Sequence, residues 1–231
     1  MSLFVPPRRP SRERLDDPAL PSDEMRRNLE DLGEIGRRWG ATRDLARYVA
    51  ARSRALGLSR VRVLDVGAGS GEGTAGLRGE LARAGLAGDV LALDLRWRHL
   101  AAGRLIGAGP KAVCADGFRM PFRDDVFDFA VSTLFFHHFS PDENRRLLAE
   151  LRRVARHGFA MLDVRRHRVP ELFLALVGPA IFRARITTED GVASVRQAYT
   201  PSEALAVARA VDPRSTLLRI FPFRILVAGG T

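Results

Sequence analysis

The chain has 231 residues, 46% of them hydrophobic and 28% charged, enough for one α/β domain with a full core and a lid but not for a second independent catalytic domain. No apolar run reaches the roughly 18 residues of a membrane span. Met1 to Pro10 has neither the apolar stretch nor the small-residue cleavage site of a secretory leader, so a cytoplasmic location is expected. The net charge of +10 would suit nucleic acid or an anionic membrane surface. Lysine occurs once, however, at Lys111, and an arginine excess beside abundant alanine and glycine reads as the coding bias of a GC-rich genome. The lone Cys114 allows no internal disulfide and no cysteine-based metal site. Its expected role is strand packing, and no other metal-ligand set is expected.

Residues 1–21 are rich in proline and arginine and show no helical or strand period, which predicts a mobile or loosely docked arm. Residues 22–58 predict a helical cap. Ser22 can cap a helix carrying Met25, Leu29, Leu32 and Ile35, and Thr42 can cap a second through Leu45, Tyr48, Val49 and Leu56. From residue 59 to 231 apolar strands alternate with helical stretches: Val61 to Val66, Val90 to Leu95, Ala112 to Ala115, Phe127 to Leu134 and Phe159 to Val164. Such alternation predicts a parallel sheet with helices on both faces. Ser140-Pro141-Asp142-Glu143 combines an N-cap, a proline at the first helical position and a capping-box glutamate. It opens a helix whose apolar stripe is Leu147, Leu148, Leu151, Val154 and Ala155.

Residues 166–199 lengthen the connection after the fifth strand. Within them Leu172 to Phe182 is almost wholly apolar between Arg166, Arg168, Arg183 and Arg185, which suits a lid, a buried core helix or a segment at a membrane interface. Thr200-Pro201-Ser202-Glu203 repeats the capping chemistry, and Thr216 to Phe221 with Phe223 to Ala228 predict a hairpin at the sheet edge. The expected fold is α/β: a Rossmann-like seven-stranded sheet, mostly parallel with an antiparallel C-terminal hairpin, helices on both faces and an N-terminal helical cap.

Val61-Arg62-Val63-Leu64-Asp65-Val66 runs straight into Gly67-Ala68-Gly69-Ser70-Gly71, and a helix follows from Glu72. Glycines serve where the backbone takes positive φ or must approach a ligand closely. The dinucleotide fingerprint wants a third glycine three places after the second, and that position is Glu72. Asp-x-Gly-x-Gly-x-Gly instead resembles the class I S-adenosylmethionine (SAM)-dependent methyltransferases, with Met120-Pro121-Phe122…Phe127-Asp128 similar to a second signature of that family. The resemblance spans roughly residues 61–139. It implies SAM as cofactor, with Asp65, Gly67, Ala68, Gly69 and Gly71 forming its turn and Asp94, followed by Leu95, accepting from both ribose hydroxyls. It also implies that Asp116 accepts from the adenine amino group and that Gly117 and Phe118 wall the ring. A loop-ordering role is the alternative for Asp65, and a strand-end cap for Asp94.

Ser132 to Phe139 runs off the fourth strand, which in the resembling family ends beside the reactive methyl. His137 and His138 are therefore the catalytic candidates, with packing or helix capping as the alternative. Asp163, Arg165 and His167 follow the fifth strand, where ordinary surface polarity is expected. Arg165, Arg196 and Tyr199 are candidate contacts to the acceptor. Lid, histidine pair and second signature together resemble the small-molecule branch related to ubiquinone and menaquinone biosynthesis, implying a hydrophobic, aromatic or quinol-like acceptor methylated on oxygen or carbon. A nucleic-acid methyltransferase is disfavoured, because Ser132-Thr133-Leu134-Phe135 lacks the Asp/Asn-Pro-Pro-aromatic motif. A non-catalytic SAM- or nucleotide-binding module stays open. The expected partner is a small molecule, with peripheral membrane contact possible.

Overall fold

A computed structural model describes residues 5–105 and 111–230; residues 1–4 of the arm lie outside the described residues. Two helices, α1 (Ser22–Arg38) and α2 (Ala41–Ala55), lead into β1 (Arg60–Val66), α3 (Glu72–Arg83), β2 (Ala87–Asp94), α4 (Trp97–Leu105), β3 (Ala112–Cys114), β4 (Phe129–Thr133), α5 (Pro141–Val154) and β5 (Phe159–Val164). The lid region then forms α6 (Arg168–Ile181) and α7 (Arg185–Gln197), before α8 (Pro201–Arg209), β6 (Thr216–Ile220) and β7 (Arg224–Gly229) close the chain. The seven strands lie in the order β3-β2-β1-β4-β5-β7-β6. β1 to β5 are parallel, and β7 runs antiparallel to both β5 and β6.

Period-two alternation divides the core between the two faces of the sheet. Leu64 and Val66 of β1 pack with Leu147, Leu148, Leu151 and Val154 of α5. Val61 and Val63 pack on the other face with Leu45 and Val49 of α2 and Leu77 and Leu81 of α3. Side chains buried this completely each contribute about 1.5–3 kcal/mol of hydrophobic free energy, and they fix the register that brings the ends of β1, β2 and β4 to one rim. The capping boxes at Ser140 and Thr200 both form, with side chain and backbone reciprocally bonded. Two other caps sit earlier than expected: Pro21, one residue before Ser22, precedes α1, and Gly40, two residues before Thr42 and left-handed at φ 74°, precedes α2. Cys114 is exposed rather than packed, its Sγ directed at the Leu95 carbonyl.

Two regions depart from expectation. The described part of the arm is docked, not loose. Arg8 donates to the carbonyls of His137, Phe139 and Gln197 and lies 4.3 Å over the Tyr199 ring, and Arg14 and Leu15 donate their backbone N–H groups to Asp190. The apolar lid segment is no core helix either. Only Gly178 of α6 is buried, where Thr188 of α7 fits against it, and Leu172 and Leu176 face outward.

Candidate active site

The strand order reverses direction between β1 and β4, and in open α/β sheets that switch point leaves a crevice at the carboxyl ends of the strands. Here the crevice deepens into a cavity of about 790 Å³. At one end lies the glycine turn. Gly67, Gly69 and Gly71 take φ of 73°, 56° and 80°, which side chains bearing a Cβ rarely adopt. At Gly67 a Cβ would also stand 2.5 Å from the Phe135 ring. The turn is tied to β2, because the N–H groups of Gly67 and Ala68 both donate to the Leu93 carbonyl.

Asp94, at the end of β2, accepts from the Gly69 N–H and the Arg96 N–H, each at 2.8 Å, with His99 3.7 Å away. Burial pushes its carboxyl up, against the lowering pull of Arg96, His99 and Gly69. Asp65 is buried and accepts from Thr74 Oγ1 at 2.6 Å. Burial raises it to about 6, Thr74 opposes the rise and Asp94 adds to it. Leu95, Asp116, Gly117 and Phe118 line the same cavity, with Asp116 accepting from the Phe118 N–H at 2.9 Å. The residues read as a cofactor set thus converge on one wall. Gly103 of α4 belongs with them by packing, since a Cβ there would meet the Ser70 carbonyl oxygen at 1.7 Å; nothing local in the sequence distinguishes it from other helical glycines.

Leu32, Ile35 and Trp39 at α1, Phe173 and Leu174 of α6, and Phe182 and Phe223 give the cavity an apolar lining. One cluster of polar groups lies where β4 ends. His137 is buried, its Nδ1 2.7 Å from Asp163 Oδ1 and its Nε2 3.2 Å from Glu13 Oε1. Burial would lower its pKa, but the two carboxylates outweigh that and raise it to about 10. Glu13 in turn is held down at about 2, because His137, His138 and Ser194 overcome the upward push of burial. Gln197 also donates to Glu13, at 3.0 Å. His138 stands beside this group with its Nε2 3.8 Å from Glu13 Oε2, and burial with the neighbouring His137 lowers its pKa. Both ring nitrogens of His137 are therefore engaged, whereas the carboxylate oxygens nearest the His138 ring nitrogens stand 3.8 and 4.0 Å away; both histidines line the cavity.

Sequence reasoning missed Glu13 and Ser194, which come from the arm and the lid. It also treated Asp163 as surface polarity, whereas it is 3% exposed and anchors His137. Arg165, Arg196 and Tyr199 do not line the cavity. Arg165 stacks 4.9 Å over Phe223, Arg196 pairs with Glu171 at 2.7 Å, and Tyr199 is buried with its hydroxyl donating to the Phe139 carbonyl. His167 caps α6 by accepting from the Val169 N–H.

A glycine turn too tight for side chains, a carboxylate pair behind it and an apolar chamber ahead fit a sulfonium nucleoside, and the fold is that of SAM-dependent methyltransferases. Residues 64–162 match the methyltransferase domain family. Among solved structures the chain is similar to a SAM-dependent methyltransferase from Aquifex aeolicus, at 19% identity over 73% of this chain and 80% of that one, TM-score 0.52. It is also similar to the plantazolicin methyltransferase BpumL in complex with S-adenosylhomocysteine, at 14% identity over 89% and 94%, TM-score 0.61. A third likeness is to a chain of the complex formed by the Haloferax volcanii Trm112 methyltransferase activator, at 16% identity over 95% and 98%, TM-score 0.59. At these identities the likeness is one of fold. No curated protein matches the sequence.

Proposed function

We propose that the enzyme transfers the methyl group of SAM to an oxygen or carbon of a hydrophobic, aromatic or quinol-like small molecule, as the branch related to ubiquinone and menaquinone biosynthesis does. The observation that carries this reading is the chamber itself: aromatic and aliphatic side chains line most of it, and His138 stands at its wall where β4 ends. A flat apolar acceptor is desolvated there, and its one reactive polar atom is drawn toward His138.

Bound SAM supplies an electrophilic methyl on sulfur. The chain has to position it: Asp94 grips the ribose hydroxyls, Asp65 stands beside the turn, and Asp116 with Phe118 receives the adenine. Alignment of acceptor, methyl and sulfur in a closed site can be worth effective molarities of about 10⁵–10⁸ M. α6 and α7 exclude water, and His138 acts at the acceptor proton that must leave when a hydroxyl is methylated.

The test uses the full chain with SAM and a panel of phenols, quinols and RNA, reading S-adenosylhomocysteine formation. Product with phenolic or quinol acceptors and none with RNA is expected. Methylation of RNA alone, or no turnover on any hydrophobic acceptor despite tight cofactor binding, would overturn the reading.

A further inference from the structure

Glu13, His137 and His138 lie at the cavity wall with one ligand atom each, all within 4.8 Å of one another. Two donors bound at about 2.0–2.2 Å to a tetrahedral ion stand about 3.4 Å apart. The Glu13 contacts, Oε1 to His137 Nε2 at 3.2 Å and Oε2 to His138 Nε2 at 3.8 Å, straddle that spacing, one on each carboxylate oxygen.

The surroundings are those of metal ligands as well. A metal-bound histidine commonly gives its other ring N–H to a carboxylate, which fixes the tautomer and points the free nitrogen at the ion. Asp163 Oδ1 does this for His137 at 2.7 Å, and Asp163 Oδ2 takes the His137 backbone N–H at 2.9 Å. Glu13 is oriented in the same way by Ser194 and Gln197.

Charge gives a second, independent indication. Glu13 and Asp163 are two buried carboxylates that flank the one His137 ring, and burying two such groups without a cation is costly. Asp16 is already paired with Arg96, and Arg8 and Asp190 nearby carry opposite charges. A divalent cation with both imidazoles neutral brings the cluster to zero, and the proton shared by His137 Nε2 and Glu13 is the position it would take.

We propose that Glu13, His137 and His138 form a binding site for one divalent transition-metal ion, such as zinc, with an open coordination position toward the cavity. Nitrogen and carboxylate donors of this kind suit zinc and its neighbours rather than magnesium or calcium. Three protein ligands with one position left open is the arrangement of catalytic sites, where the ion polarises a bound oxygen. Its use on a hydroxyl acceptor rests on the function proposed above, with His138 then acting through the ion and not as a free base; the binding site itself does not.

The test is calorimetric titration of the untagged full chain, stripped with chelator, with zinc, together with the visible absorption of the cobalt(II) form. One equivalent per chain is expected, with cobalt bands that report nitrogen ligation. Glu13→Gln and His138→Ala should each weaken binding at least tenfold, and Asp163→Asn about 10–100-fold. S-adenosylhomocysteine affinity, unchanged in all three, shows that the variants are folded. No binding by the stripped chain, or binding indifferent to these substitutions, would overturn the site. Full turnover on a phenol in excess chelator would overturn the use of the ion in the reaction while leaving the acceptor reading intact, whereas stoichiometric zinc with no turnover on any phenol or quinol would support the site and count against that reading.

Discussion

The cofactor end of the cavity is assembled from near neighbours in the chain, the acceptor end from distant ones. Gly69 and Asp94, bonded to each other, are 25 residues apart, and the strands that carry them are adjacent and parallel. Glu13 and His137, equally close in space, are 124 apart, and Glu13 to Gln197 is 184. The first end is held by the sheet and by backbone geometry. The second depends on an arm, a strand end and a lid closing together, and its members carry charge that only their mutual contact makes tolerable. Cofactor binding and acceptor chemistry should therefore be separable by mutation, and the following outcomes would sharpen or break that division.

The largest effect is expected at the acceptor end. Replacing His138 with Ala should cut turnover by about 10²–10⁴-fold, the usual worth of a group acting on a transferred proton, while S-adenosylhomocysteine affinity stays as it was. Equal losses in both would show that the two ends are not independent. Next comes Asp94→Ala, which removes a charged acceptor and frees the turn that it holds. Hydrogen bonds to charged groups contribute about 1.5–3 kcal/mol each, so calorimetry should show S-adenosylhomocysteine binding weakened about 100-fold or more, without loss of zinc binding.

Asp65 gives a smaller effect with a definite sign. Its carboxyl titrates at about 6 in the folded chain against an ordinary 3.8, so the unfolded chain releases that proton first and stability falls as pH rises from about 4 to 6, then levels. Asn at this position cannot ionise. The stability of Asp65→Asn relative to the parent should rise by about 1–3 kcal/mol across that window, measured by denaturant unfolding at a series of pH values, and a flat difference would remove the assigned burial. Smallest of all, Ser140→Ala should cost about 1 kcal/mol through the lost capping box of α5 and leave both ligand affinities alone, because the cap faces away from the cavity.

Much of this was legible before any coordinates. The strand-turn-helix at Val61 to Glu72, the capping boxes and the terminal hairpin are set by contacts between near neighbours, and such contacts leave periodic or motif signals. Helix caps written without a motif moved, from Ser22 to Pro21 and from Thr42 to Gly40, the second because Gly40 supplies its left-handed turn where sequence favoured a hydroxyl. Tyr199 reads as a polar handle for a ligand, yet its hydroxyl satisfies the Phe139 carbonyl in the core; hydrogen-bonding capacity alone does not say which partner a side chain meets.

The residue order by itself determined the class of fold and the wall that receives the nucleoside, since short-range sterics at glycine and period-two burial admit few alternatives. Only the tertiary structure decided what faces the acceptor. A carboxylate in a proline-rich stretch carries no local mark of its destination, and Glu13 acquires its low pKa, its partners and its place beside His138 from desolvation and long-range contact that exist only once arm and lid have closed on the sheet.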